Sequence, residues 1–141
     1  MATFNKFQDY VEQLNKGVHN WSSHTFKWLL TNSAPSASNT IKSDITEITA
    51  ANGYPSGGMT CDSVVLSEAA GIAKVTIADE VLTAAGGSIG PFRYAVLYND
   101  SPTSPADPLV GWYDYGSALT LADGESLTID NDATNGVWTM Q

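Results

Sequence analysis

An all-β domain of the β-sandwich or jelly-roll kind, entered through one N-terminal amphipathic helix, is what this sequence predicts. Three observations carry that expectation. Between Gly86 and Gly116, Phe92, Tyr94, Val96 and Tyr98 alternate with Arg93, Ala95 and Leu97, the two-residue period of a strand with one large, mainly aromatic face. Short apolar segments recur at roughly 8–12-residue intervals between Gly, Asn, Pro and Asp punctuation, the rhythm of antiparallel sheets. Only residues 4 to 16 carry a convincing helical stripe. The 141 residues have no internal repeat and no dividing linker, so one domain is expected, with an N-terminal helix or arm over 1–20 and a β-sandwich over 21–141.

In chain order, Phe4, Phe7, Val11 and Leu14 form the helical stripe, and Val18 continues it beyond Gly17. Thr3 suits an N-cap and Gly17 the left-handed position after the C-terminus. Two roles are open for this helix: a cover for the apolar face of a sheet, or an arm that docks on a neighbouring subunit. Thr25–Thr31 reads as a first strand, with Phe26, Trp28 and Leu30 on one face. Ile41, Ile45 and Ile48 have helical spacing, and Asp44 with Glu47 has the spacing of a capping box, which gives one short helical turn. Met59–Leu66 and Ile72–Ile77 read as a hairpin around Ser67–Gly71, and Glu80–Ala84 as a short strand. A central pair, Phe92–Tyr98 and Leu109–Tyr115, follows. Ala118–Leu121 and Ser126–Asn131 flank the turn dipeptide Asp123-Gly124, and Val137–Met140 closes the chain.

Composition excludes several classes of function. Fifteen acidic residues against six basic give a formal charge of −9, which repels phosphate and argues against nucleic acid as a partner. No apolar run approaches the ~20 residues of a membrane helix, and the N-terminus lacks the apolar core of a secretory signal. The expectation is a soluble protein made in a cytoplasm, with no membrane partner. The lone Cys61 has no cysteine partner within the chain and reads as a buried, inert thiol.

Candidate chemistry is sparse. His19 and His24 lack the spacing and neighbours of a metal pair. Ser56, in Gly-Tyr-Pro-Ser-Gly, sits one place too late for a hydrolase elbow. Gly86-Gly-Ser-Ile-Gly90 lacks the Lys-Ser/Thr of a phosphate loop and precedes a strand. Asp130 and Asp132 match the first ligands of an EF-hand loop, but Gly136 and Gln141 do not fit its later positions. With Asp123 and Glu125 they read as a solvated strand face that discourages edge pairing. Arg93, the only arginine, has two candidate partners: a carboxylate within the domain, or one across a subunit interface. Trp112, Tyr113 and Tyr115 read as core, with a sugar-stacking platform as the alternative. The prediction is no enzyme, no catalytic residues, no metal and no cofactor; the candidate interface residues are Phe4, Phe7, Val11, Leu14 and Arg93.

Longer blocks of the sequence carry a resemblance. FNKFQDYVEQLNKGVHN, LTN-x-AP at Leu30–Pro35, ITEI with NGY between Ile45 and Tyr54, IGPFRYAVLYND at Ile89–Asp100, and DPLVGWYDYGSALTLADGESLTI resemble a group of small virion proteins of tailed bacteriophages. The resemblance runs from Phe4 to about Ile129 and includes no catalytic motif. It implies a capsid decoration, or cement, protein: a compact and often oligomeric β domain on the outer surface of the capsid, made in the bacterial host cytoplasm. Its partners would be the major capsid protein and further copies of itself. The same resemblance admits a minor tail or head–tail connector protein. A carbohydrate-binding receptor module is a third reading and rests on the aromatics alone.

Overall fold

The structure, a computed structural model, describes residues 2–141. Among the described residues, ten strands, one α-helix and a single 3-10 turn at Lys42–Asp44 form an antiparallel, mostly β architecture. The strands are β1 (Phe4–Lys6), β2 (Phe26–Thr31), β3 (Met59–Thr60), β4 (Val65–Ala69), β5 (Ile72–Thr76), β6 (Glu80–Thr83), β7 (Ile89–Asn99), β8 (Leu109–Leu121), β9 (Ser126–Ile129) and β10 (Trp138–Met140), and the helix α1 spans Gln8–Asn15. One sheet has the order β1-β8-β7-β2-β3, a second β10-β5-β4, and a third pairs β6 with β9.

The N-terminal helix is shorter than its apolar spacing predicts. Phe4–Lys6 is extended and pairs with β8, Phe4 opposite Tyr113 and Lys6 opposite Gly111. The missing Cβ of Gly111 is the reason. A methyl group there would run into the Phe4 ring and lie 2.5 Å from the Asn5 carbonyl oxygen. The ring instead lies across the glycine and meets Trp28 and Tyr113 edge-on, at centroid distances of 6.5 and 5.5 Å. The Phe7 N–H donates to Val110 O and the Gln8 N–H to Ala37 O, so extended chain persists through Phe7 before α1 begins. The N-cap is therefore Phe7, which has no side-chain cap, rather than Thr3. The other end follows expectation: Gly17 has φ +77°, its N–H donates to Leu14 O and that of Val18 to Gln13 O, the paired bonds of a Schellman motif. Gly111→Ala is expected to detach β1 and lower stability by about 1–3 kcal/mol, as overpacking does; a denaturation midpoint equal to that of the wild type would contradict this role.

Other differences share one origin, contacts distant in sequence. Met59–Leu66 is interrupted: β3 pairs with β2, and β4 begins only after Ser63, whose φ is +51°. The hairpin turn tightens to Ala70-Gly71, with φ of +52° and +80°, the two-residue form that matches strand twist. Asp44 closes rather than opens its turn, accepting from the Thr40 and Ile41 N–H groups. Glu47 accepts instead from the Tyr54 hydroxyl and the Gly57 N–H. Ala118–Leu121 belongs to the single long β8. Asp123-Gly124 does form a turn, yet β9 pairs with β6 and not with β8, because the turn is bound to the end of β6 by Gly124 N–H to Ala84 O and Ala84 N–H to Glu125 O.

The core occupies both faces of the large sheet. On one face Phe26, Trp28, Leu97 and Val110 pack with Tyr10 of α1, Trp21, and Val75 and Val137 from the second-sheet region. On the other, Phe7, Leu29, Val96, Tyr98 and Leu109 form a separate cluster. The regular aromatic face expected along β7 is broken. Phe92 leaves it to pack with Leu30, Tyr54, Leu82 and Leu121, because the β7–β8 register shifts on either side of it.

Candidate functional site

That register shift creates the most distinctive surface feature. Tyr94 pairs with Asp114, but Phe92 pairs with Leu119, so residues 115–118 of β8 have only Arg93 opposite them. The surplus chain bulges outward, and Gly116 supplies the φ of +98° that the bend requires. Asp114 fastens the bulge. Its Oδ1 accepts from Arg93 Nε at 2.7 Å and from the Gly116 N–H at 2.8 Å, and its Oδ2 accepts from Arg93 Nη2 at 3.0 Å. The Arg93 hydrogen bonds, with that of Gly116 behind them, hold the Asp114 carboxyl below its ordinary range. The guanidinium also lies over the Tyr94 ring, 5.3 Å from its centroid. Both partners are half-buried, so the pair fixes geometry more than it adds stability.

Between this bulge and β9 runs a groove of about 200 Å³, lined mainly by Leu30, Phe92 and Ala95, by Arg93, Tyr94, Tyr113 and Tyr115, and by Leu127, Thr128, Ile129 and Asp130. Tyr115 is 59% exposed. The Tyr113 ring stacks on Trp28 at 5.3 Å. Burial, and then the negative charges of Asp130, Asp132 and Asp79, push its hydroxyl up to about 12. The trio Trp112, Tyr113 and Tyr115 is not one platform. Alternation along β8 sends Trp112 to the opposite face, where its ring lies 4.6 Å from that of Phe7.

The five candidate interface residues are dispersed. Phe7 is fully buried and Phe4 partly so; Leu14 packs at the margin of the main core. Val11 is 38% exposed. Arg93 engages Asp114 of its own domain. The residue that anchors α1 is Tyr10, whose hydroxyl accepts from Trp21 Nε1 at 2.8 Å and whose ring meets Trp138 edge-on at 5.2 Å. Sequence spacing does not distinguish Tyr10 from Val11, since each lies within one helical turn of Phe7.

His19 and His24 converge on a residue that sequence reasoning missed. The amide nitrogen of buried Asn99 lies 3.2 Å from His19 Nδ1 and 2.9 Å from His24 Nδ1, while Asn99 Oδ1 accepts from the Ser101 N–H. Burial, and secondarily the His24 charge, lowers His19 to about 4. Cys61 is buried, and its thiol is pushed up by desolvation. Asp132 accepts from the Thr134 and Asn135 N–H groups of its own turn, and Asp123 accepts from the Gly86 N–H. Among the described residues, no three His, Cys, Asp or Glu side chains are grouped so as to hold a metal ion, and no helix is long and apolar enough to cross a membrane. No family model matches the chain, and no curated protein or solved structure matches it.

Proposed function

We propose that this protein is a non-enzymatic structural component of a tailed-bacteriophage particle, a decoration or cement protein that binds the outside of the major capsid shell as an oligomer. The observation that carries the reading is an unpaired sheet edge dressed for contact. Among the described residues strand β4 has no partner on its outer side, all five of its residues are exposed, and Val65 and Leu66 present apolar side chains there, with Ile72 of β5 exposed at the adjoining turn. Such an edge is a template for another strand. In architecture we read a sandwich, the large sheet facing β10-β5-β4 across Trp28 and Val75. The resemblance in the sequence supplies the particle. The charge of −9 supports an outer position, away from packaged DNA.

Copy number tests the assignment. A shell protein repeats with the capsid lattice, so antibody label covers the head evenly, and particles lacking the protein rupture at lower temperature because a ligand of the assembled shell stabilises it by mass action. Label confined to the tail or to one vertex, with heads of unchanged heat resistance, would assign the protein to the tail or connector instead. A second reading, a carbohydrate-binding module, retains only Tyr115 of the expected aromatic trio as an open ring at the groove.

A further inference from the structure

We infer that the groove between the β8 bulge and β9 is a binding site for a basic side chain, a lysine or arginine presented by a partner protein. Size is the first argument. At about 200 Å³ the groove is smaller than the roughly 300–1,000 Å³ that ordinarily holds a drug-sized molecule, which suits one long side chain. The second is the polarity of its lining. Leu30, Phe92, Ala95 and Leu127 offer apolar surface to a methylene stem, and the exposed Tyr115 ring offers a face to a cation.

The third argument is charge. Asp130 lies on the lining, is exposed, and has no ion-pair partner among the described residues. Arg93 is itself on the lining, but its guanidinium is already neutralised by Asp114 and lies over the Tyr94 ring, which leaves Asp130 as the unpaired charge of the groove. Behind Asp130, Asp132 and Asp79 lie near enough to add, after burial, to the rise of the Tyr113 hydroxyl, so the carboxylates of this end of the groove act in one direction. In a molecule of net charge −9, a basic partner is also the one drawn in over longer distances.

A sugar fits less well. A pyranose carries hydroxyl groups around its ring, and the groove would leave many of them facing hydrocarbon without partners. Of the aromatic rings, only that of Tyr115 is largely open, because Tyr113 stacks on Trp28. If the virion assignment holds, the partner side chain belongs to the shell or to a neighbouring copy. The site stands without that assignment, because the test uses the purified protein alone.

The experiment is an NMR titration of the full chain with n-pentylguanidinium, pentan-1-ol and a methyl glycoside in parallel. The guanidinium is expected to shift the Tyr115, Leu127 and Asp130 resonances saturably and to bind at least about threefold more tightly than the alcohol, the difference shrinking as salt is raised. Asp130→Asn and Tyr115→Ala, both on exposed positions, should each weaken it by roughly two- to fivefold while leaving the remaining spectrum unchanged. Equal binding of guanidinium and alcohol would reduce the site to an apolar cleft. Tighter binding of the glycoside would make it a sugar site, and no saturable shift with any probe would remove it; each of the three overturns the inference.

Discussion

Phe7→Ala is expected to destabilise the isolated protein by about 3–5 kcal/mol, the range for truncating a buried phenylalanine, whereas Val11→Ala should change stability by less than about 1 kcal/mol. The two residues lie on one helical stripe in the sequence, four positions apart, and would behave alike if the N-terminus were an arm free of its own domain. Phe7 is instead fully enclosed by Leu29, Val96, Tyr98 and Leu109, and its N–H is bonded to Val110. Val11 is 38% exposed. Chemical denaturation of the two variants separates the cases. Equal, small losses would mean that the first helical turn is not part of the domain core. If Phe7→Ala fails to fold, Phe7→Leu provides the measurement: it leaves a smaller cavity and should cost less than Phe7→Ala, yet still more than Val11→Ala. Val11 then remains the member of the stripe available to a neighbouring molecule.

That contrast marks how far the sequence can be read. Local signals were sound where local chemistry decides. The central strands β7 and β8, the Phe26–Thr31 strand and the left-handed Gly17 all lie where patterning predicts, although the face of β7 breaks at Phe92. Local signals failed where a distant residue decides. Phe4 has helical spacing from Phe7, but the space over Gly111, more than a hundred residues away, draws it into a strand. Asp123-Gly124 is a turn, yet the carbonyl of Ala84 determines which strand follows it into a pair. The groove was half legible: Arg93, Tyr113 and Tyr115 stood out as residue types, while the bulge that assembles them comes from a register mismatch. Gly116, between Tyr115 and Ser117, was the one local sign of it. The grouping of His19, His24 and Asn99 leaves no sequence trace, because neither spacing nor composition links a loop before β2 to the end of β7.

That grouping gives the second large effect, a loss of stability on mild acidification. The Asn99 amide nitrogen lies 3.2 Å from His19 Nδ1 and 2.9 Å from His24 Nδ1, and for it to donate to His19 that ring must accept at Nδ1, as the neutral imidazole does. Protonating His19 at Nδ1 would set donor against donor and leave a charge packed against the rings of Tyr10, at 4.8 Å, and Phe26, at 6.4 Å. The folded protein therefore resists the proton down to about pH 4, whereas an unfolded histidine takes it near 6.5. Because the folded value is depressed, the full contribution is present above about pH 6.5. It declines as pH falls toward 4, by up to about 1.4 kcal/mol per pH unit, for a total near 3 kcal/mol. Other groups act differently in this window. Burial raises Glu80, which favours the folded state on acidification and opposes the trend. Asp44, Asp114 and Asp132 are lowered by their hydrogen bonds and add to the loss mainly at more acid pH. Urea denaturation at pH 7.5, 5.5 and 4.5 should show wild-type stability falling at each step. His19→Phe keeps an aromatic ring but cannot titrate. It begins less stable, since one Asn99 N–H loses its acceptor, and its stability should change far less across the same range. Parallel pH profiles for the two proteins would show that His19 is not the group that titrates.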